Sequence, residues 1–161
     1  MTYNYWLYVA ALATVAMATP LPAQDTSFAG MQQRGMRAMG VDQYTSVHTF
    51  DQLTDGGRIE LQRDRDDSVG VRAIRSHLGA IQKAFQSGDF STPAFVHMQA
   101  VPGTTDMARL RGVIRYSLKN LPRGGELRIT STNPEAVKAV HAFLAFQRGE
   151  HHAAGHDMHT P

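Results

Sequence analysis

One pattern occurs twice in this chain and limits what it can fold into. Phe50-x-x-Leu53-x-x-Gly56-Gly57-x-Ile59-x-Leu61 is matched by Leu118-x-x-Leu121-x-x-Gly124-Gly125-x-Leu127-x-Ile129, each position displaced by 68 residues (118 minus 50). In both copies apolar residues alternate around a glycine pair, the period-2 spacing of two strands joined by a tight turn. Tyr44 to Phe50 leads into the first turn with Tyr44, Ser46, His48 and Phe50 on one face, and Asp55-Gly56-Gly57 reverses the chain into Arg58 to Arg63. In the second copy Val113 to Leu118 alternates, Pro122-Arg123-Gly124-Gly125 turns, and Leu127 and Ile129 mark the returning strand.

Each hairpin runs into an amphipathic helix. Ser68 caps the first, Ile74, Leu78, Ile81 and Phe85 form its apolar stripe, and Gly88 ends it. Asn133 and Pro134 start the second, which extends to about Glu150 with Val137, Val140, Phe143, Leu144 and Phe146 on its apolar side. The pattern suggests a duplicated ββα unit. Aligning the two apolar stripes leaves His77 and His141 at non-equivalent positions, so the helices repeat less faithfully than the hairpins. The expected fold class is α+β, a four-stranded antiparallel sheet with two helices on one face.

Around this domain, expected over residues 43–150, the sequence changes character. Met1 to Ala23 carries no charged side chain and holds an apolar run from Trp6 to Ala18, shorter than the roughly 20 residues a bilayer span needs. It reads as a secretory signal peptide cleaved after Ala18 or Ala23, with a retained anchor as the alternative. The expected location is therefore periplasmic or secreted, with no stable membrane insertion once the signal is removed. Residues 24–42, rich in Gly, Gln and Met, read as a flexible lead-in that holds at most a short helical turn. Ala94 to Val101 fits either a short helix or a strand, and Thr104 to Arg111 fits a short helix. Residues 151–161, HHAAGHDMHTP, read as a disordered tail.

Composition excludes several function classes. The 161 residues suit one domain, and 42% apolar content with 19% charged predicts a buried core. Acidic and basic residues alternate from Asp55 to Asp67 and the net charge is only +2, so no nucleic-acid footprint is expected. The absence of cysteine removes disulfides, thiolate metal sites, iron–sulfur clusters and covalent c-type haem. No catalytic motif is present: neither Gly-x-Ser-x-Gly, nor a phosphate-binding glycine loop, nor His-Glu-x-x-His occurs.

Chemistry is carried by histidine. His77 stands within the apolar stripe of the first helix, His141 within that of the second, and His48 on the strand face that holds Phe50. Three imidazoles from three elements are thus expected to point into one core, where a shared partner offsets the cost of burying them. Neutral imidazoles ligate zinc, copper or haem iron. His97, beside Met98, is a candidate fourth ligand. Asp89 either orients an imidazole or caps the next turn, the second role being the expected one. In the tail, His151, His152, His156, Met158 and His159 suit capture of copper or zinc, the thioether favouring Cu(I). The expected function is an exported binder of copper or zinc, with non-covalent haem as one alternative and a metal-free structural or interaction module as another.

Thr45-x-x-His48-x-Phe50, Ile74-Arg75-x-His77-Leu78, Gly88-Asp89-Phe90-x-x-Pro93-x-x-x-His97 and Thr132-x-Pro134-x-x-Val137-x-Ala139-x-His141-x-Phe143 together resemble a family of small, often exported bacterial proteins. The resemblance spans about Asp42 to His152 and implies that His48, His77, His97 and His141 share a recurring pattern. Some members carry the name aspartate carbamoyltransferase. This chain lacks the Ser-Thr-Arg-Thr loop such an enzyme uses for carbamoyl phosphate and has about half the length of such a catalytic chain.

Overall fold

The computed structural model describes residues 25–153. The expected leader and residues 154–161 lie outside the described residues. Strands β1 (Ser46–Leu53) and β2 (Gly56–Arg63) form one hairpin, β3 (Arg115–Leu121) and β4 (Gly124–Thr130) the other. Central pairing of β2 with β4 joins them into one antiparallel sheet of order β1-β2-β4-β3. Helices α2 (Ser68–Ser87) and α5 (Pro134–Glu150) pack on one face of this sheet, which is the expected α+β architecture.

The repeated sequence corresponds to repeated strand register. Phe50 pairs with Ile59 and Leu53 with Gly56; Leu118 pairs with Leu127 and Leu121 with Gly124. Each glycine of the doublets has a separate steric reason. A Cβ on Gly56 would overlap the Ile129 carbonyl, and one on Gly124 would overlap the Leu61 carbonyl, so the first glycine of each pair lets the other hairpin's backbone approach. A Cβ on Gly57 would strike Leu144 of α5, and one on Gly125 would come within 2.9 Å of Leu78 of α2. The second glycines are therefore seats for helix leucines. As a result α5 lies over β1 and β2, and α2 lies mainly over β3 and β4, so each helix covers the hairpin that it does not directly follow.

Caps fix the helix ends. Asp67 accepts from the N–H groups of Val69 and Gly70 at the start of α2, and Gly88 closes it in the left-handed region at φ 84°. Asn133 accepts from Glu135 and Ala136 at the start of α5, with Pro134 in the first turn. Such caps each contribute about 1 kcal/mol. Between sheet and helices lies an apolar core in which Ile74, Leu127, Ile129, Val140 and Leu144 are fully enclosed. The outer face of the sheet is polar: Arg58 bonds Asp51 at 2.7 Å and Glu60 at 3.1 Å.

The structure departs from the sequence reading at several places. The segment expected as a flexible lead-in contains a three-turn helix, α1 (Phe28–Met39), begun by the Ser27 side chain and ended by Gly40 at φ 73°. Its buried positions include Met31, Gly35 and Met39, spaced by four, and the middle member is a glycine that does not read as apolar. The undecided segment is the helix α3 (Ser91–His97), against which α1 packs; α4 (Thr104–Arg109) is the expected short helix. Tyr44 belongs to a 3-10 turn and is 71% exposed, so only His48 and Phe50 of its expected face are enclosed. Val113 likewise precedes β3 in a 3-10 turn. No helix among the described residues is long and apolar enough to cross a membrane.

Candidate functional site

The site lies where α1 and α3 cover the β1 end of the sheet. A cavity of about 90 Å³ opens there, and the imidazoles of His48, His77, His97 and His151 line it together with Met39 and Gln147. Apart from Thr92 the rest of its wall is apolar, including Phe50, Leu61, Phe85 and Phe143.

Each polar side chain arrives by a different route. His48 projects from β1 on the same face as Phe50, because alternate residues of a strand share a face. It is 7% exposed, and its Nε2 lies 3.4 Å from the Met39 sulfur at the end of α1. His77 stands beside the buried stripe of α2 and bonds the Ala38 backbone, which ties α2 to α1. His97 closes α3, with Nε2 3.0 Å from Oε1 of Gln147 on α5. His151 follows α5 directly and lies parallel to His48 at a ring-centroid separation of 5.7 Å, while meeting His97 edge-on at 5.0 Å.

Burial keeps these rings neutral. It is the main cause holding His48 at about 4, with repulsion from His77 adding to it. Burial also takes His151 to about 3, helped by His48 and His97. His77 is lowered by burial against an opposing hydrogen bond to Ala38. In His97 burial again prevails, over the raising effects of Gln147 and Glu150. Near neutral pH the cavity therefore presents lone pairs and π faces and carries little positive charge.

The sequence-derived ligand set is regrouped. His48, His77 and His97 all reach the cavity, but His141 does not. Its Nε2 donates to the Leu53 carbonyl at 2.9 Å, over the turn between β1 and β2. The reason is helical phase: the enclosed positions of α5 are Ala136, Ala139, Val140, Phe143, Leu144 and Gln147, which leaves His141 on the flank. It also stands about 9 Å along the helix axis from Gln147, at the wrong end of the core. His151, expected in a disordered tail, takes the vacated place because α5 runs far enough to deliver it. His152 lies in the turn after α5 with its ring on Phe28, and His156, Met158 and His159 lie outside the described residues. Asp89 accepts from the Ser91 N–H, the turn-capping role expected of it.

Two contributors were missed. Gln147 was readable, since it continues the Val140–Phe143 spacing by one turn. Met39 required recognition of Ser27 and Gly40 as the limits of a helix.

Among the described residues, no group of three or more His, Cys, Asp or Glu side chains is arranged to hold a metal ion. The rings of His48 and His151 face one another as planes. Comparison with family models, curated proteins and solved structures finds no match to this chain.

Proposed function

We propose that this protein binds a soft transition-metal ion, copper(I) ahead of zinc, through an imidazole–thioether pair formed by His48 and Met39. The observation that carries this reading is the 3.4 Å between His48 Nε2 and the Met39 sulfur. Metal–imidazole and metal–sulfur bonds of about 2.0 and 2.3 Å at a tetrahedral angle place nitrogen and sulfur about 3.5 Å apart. In the metal-free state the same contact is an N–H···S hydrogen bond; for Nε2 to hold an ion, the ring's single proton moves to Nδ1 and leaves the Nε2 lone pair free.

His151 is the natural third ligand, by rotation of its ring from the stacked orientation. A thioether in the set favours copper(I), because soft sulfur selects soft ions. Neutral imidazoles support it too, since a protonated ring has no lone pair to give. A cavity of about 90 Å³ has room for an ion and little else. Sites for larger organic ligands run to about 300–1,000 Å³, so the size favours an ion over haem. The apolar leader at Met1 to Ala23 supports action outside the cytoplasm.

Anaerobic titration of the full chain with copper(I) against a chelating competitor tests this, with X-ray absorption to count sulfur ligands. One core equivalent with a sulfur neighbour is expected, lost in both Met39→Leu and His48→Leu. Unchanged copper uptake in those variants would refute the core site and leave the tail as the binder. Uptake of zinc alone at the same side chains would correct the choice of metal.

A further inference from the structure

His97 has two neighbours of the wrong kind for an ordinary hydrogen-bonded histidine. One edge of its ring faces the cavity, where Nε2 meets the Gln147 carbonyl oxygen at 3.0 Å. With that amide oxygen as the acceptor, Nε2 is the protonated nitrogen and Nδ1 bears the lone pair. Nδ1 is buried and has no hydrogen-bond partner, its side chain being 1% exposed. It faces Glu150 Oε2 across 3.9 Å. Two acceptors, one of them anionic, thus stand 3.9 Å apart, and Nδ1 has no donor to satisfy it. A proton, a cation or a Gln147 amide turned to donate to Nε2 resolves such a contact. Burial, the largest influence, opposes the proton and outweighs the opposite pull of Gln147 and Glu150, with Arg34 adding a smaller opposition.

We infer that His97 Nδ1 and the Glu150 carboxylate form an outer site for a divalent transition cation, zinc or copper(II), separate from the Met39–His48 pair. The gap lies at the wall of a second, polar hollow of about 350 Å³ that His97, Glu150, His152 and Met98 help to line. Bonds of about 2.0 Å to each ligand at a tetrahedral angle need nitrogen and oxygen about 3.3 Å apart. The half-exposed Glu150 side chain has to close a difference of about 0.6 Å from the observed 3.9 Å. Imidazole with carboxylate is the donor set of a borderline divalent ion, whereas the thioether pair suits a monovalent soft one. His152 lines the same hollow with its ring stacked on Phe28, so the pair itself supplies the protein ligands. Arg34 is committed to the carbonyls of Val96 and Asp25, and its charge weakens cation binding by an amount that the open solvent of the hollow screens. This outer site does not depend on copper(I) binding at Met39.

Zinc titration of the full chain, followed by nitrogen NMR of its histidines, provides the test. Tail histidines also bind zinc, so the readout is the Nδ1 resonance of His97 itself. That resonance should move on zinc addition, and Glu150→Gln should raise the zinc needed by about tenfold or more while leaving copper(I) uptake unchanged. A His97 signal unmoved while other histidines respond, or the same zinc requirement in Glu150→Gln, would overturn the site. A full chain that takes up no core copper(I) while its His97 signal still responds to zinc would reject only the Met39–His48 reading.

Discussion

The two hairpins have the same register and different fates at one equivalent position. His48 pairs with Leu61 in the first, and Tyr116 pairs with Ile129 in the second, each position displaced by 68 residues. Both side chains are enclosed, at 7% and 6% exposure, and both point under the helices. Tyr116 is absorbed into aromatic packing, edge-on to Phe85 at 6.0 Å. His48 lies where α1 and α3 add a further wall, so its ring meets a thioether and another imidazole in place of a filled core. The hairpin alone is thus a scaffold, and what covers its end determines whether a polar side chain becomes a site.

The strongest test of that equivalence is at the glycine seats. Leu144→Ala over Gly57 and Leu78→Ala over Gly125 each remove a buried leucine, and a loss of about 2–5 kcal/mol is expected for both by urea denaturation. If one proves neutral, the two hairpins are not covered in the same way.

Acid should separate the halves. Folded His48 titrates at about 4, against 6.5 for an unperturbed ring. Between those values the unfolded chain holds the extra proton, so stability is complete above about pH 6.5 and falls as the pH drops toward 4. At about 1.4 kcal/mol for each pH unit separating the folded and unfolded values, His48 contributes ~3 kcal/mol to this loss. His151 acts with the same sign. Denaturation midpoints measured from pH 7 to 4 should therefore decline, and His48→Leu should flatten the slope. Tyr116→Phe, at the equivalent position, should leave the slope as it is. A slope untouched by His48→Leu would mean that the ring is solvated.

The smallest effect is expected at His141. Removal of its bond to the Leu53 carbonyl should cost about 1 kcal/mol and leave metal uptake unchanged. Reduced uptake in His141→Ala would restore the sequence-derived ligand set and count against the regrouping around His151.

Much of the fold was legible because local chemistry dictates it. Alternation around Gly56-Gly57 and Gly124-Gly125 specified two hairpins, and the stripe from Ile74 to Phe85 specified α2. The Asn133-Pro134 start placed α5 within a residue or two. These features rest on backbone sterics and on a periodic apolar face, both written in consecutive residues. The buried placement of His48 was legible for the same reason, as a matter of strand parity.

Which histidines meet was decided only by tertiary structure. His141 lies on α5 and His151 directly after it, and which of the two reaches the cavity depends on the rotation and overlap of α5 against β1 and β2. Leu144 seated on Gly57 sets that rotation. Met39 reaches His48 because α1 packs on α3, a contact between segments far apart in sequence with no periodic signature of its own. Helix phase and the choice of covering element are products of packing among distant residues, and a single sequence records the residues without recording their contacts.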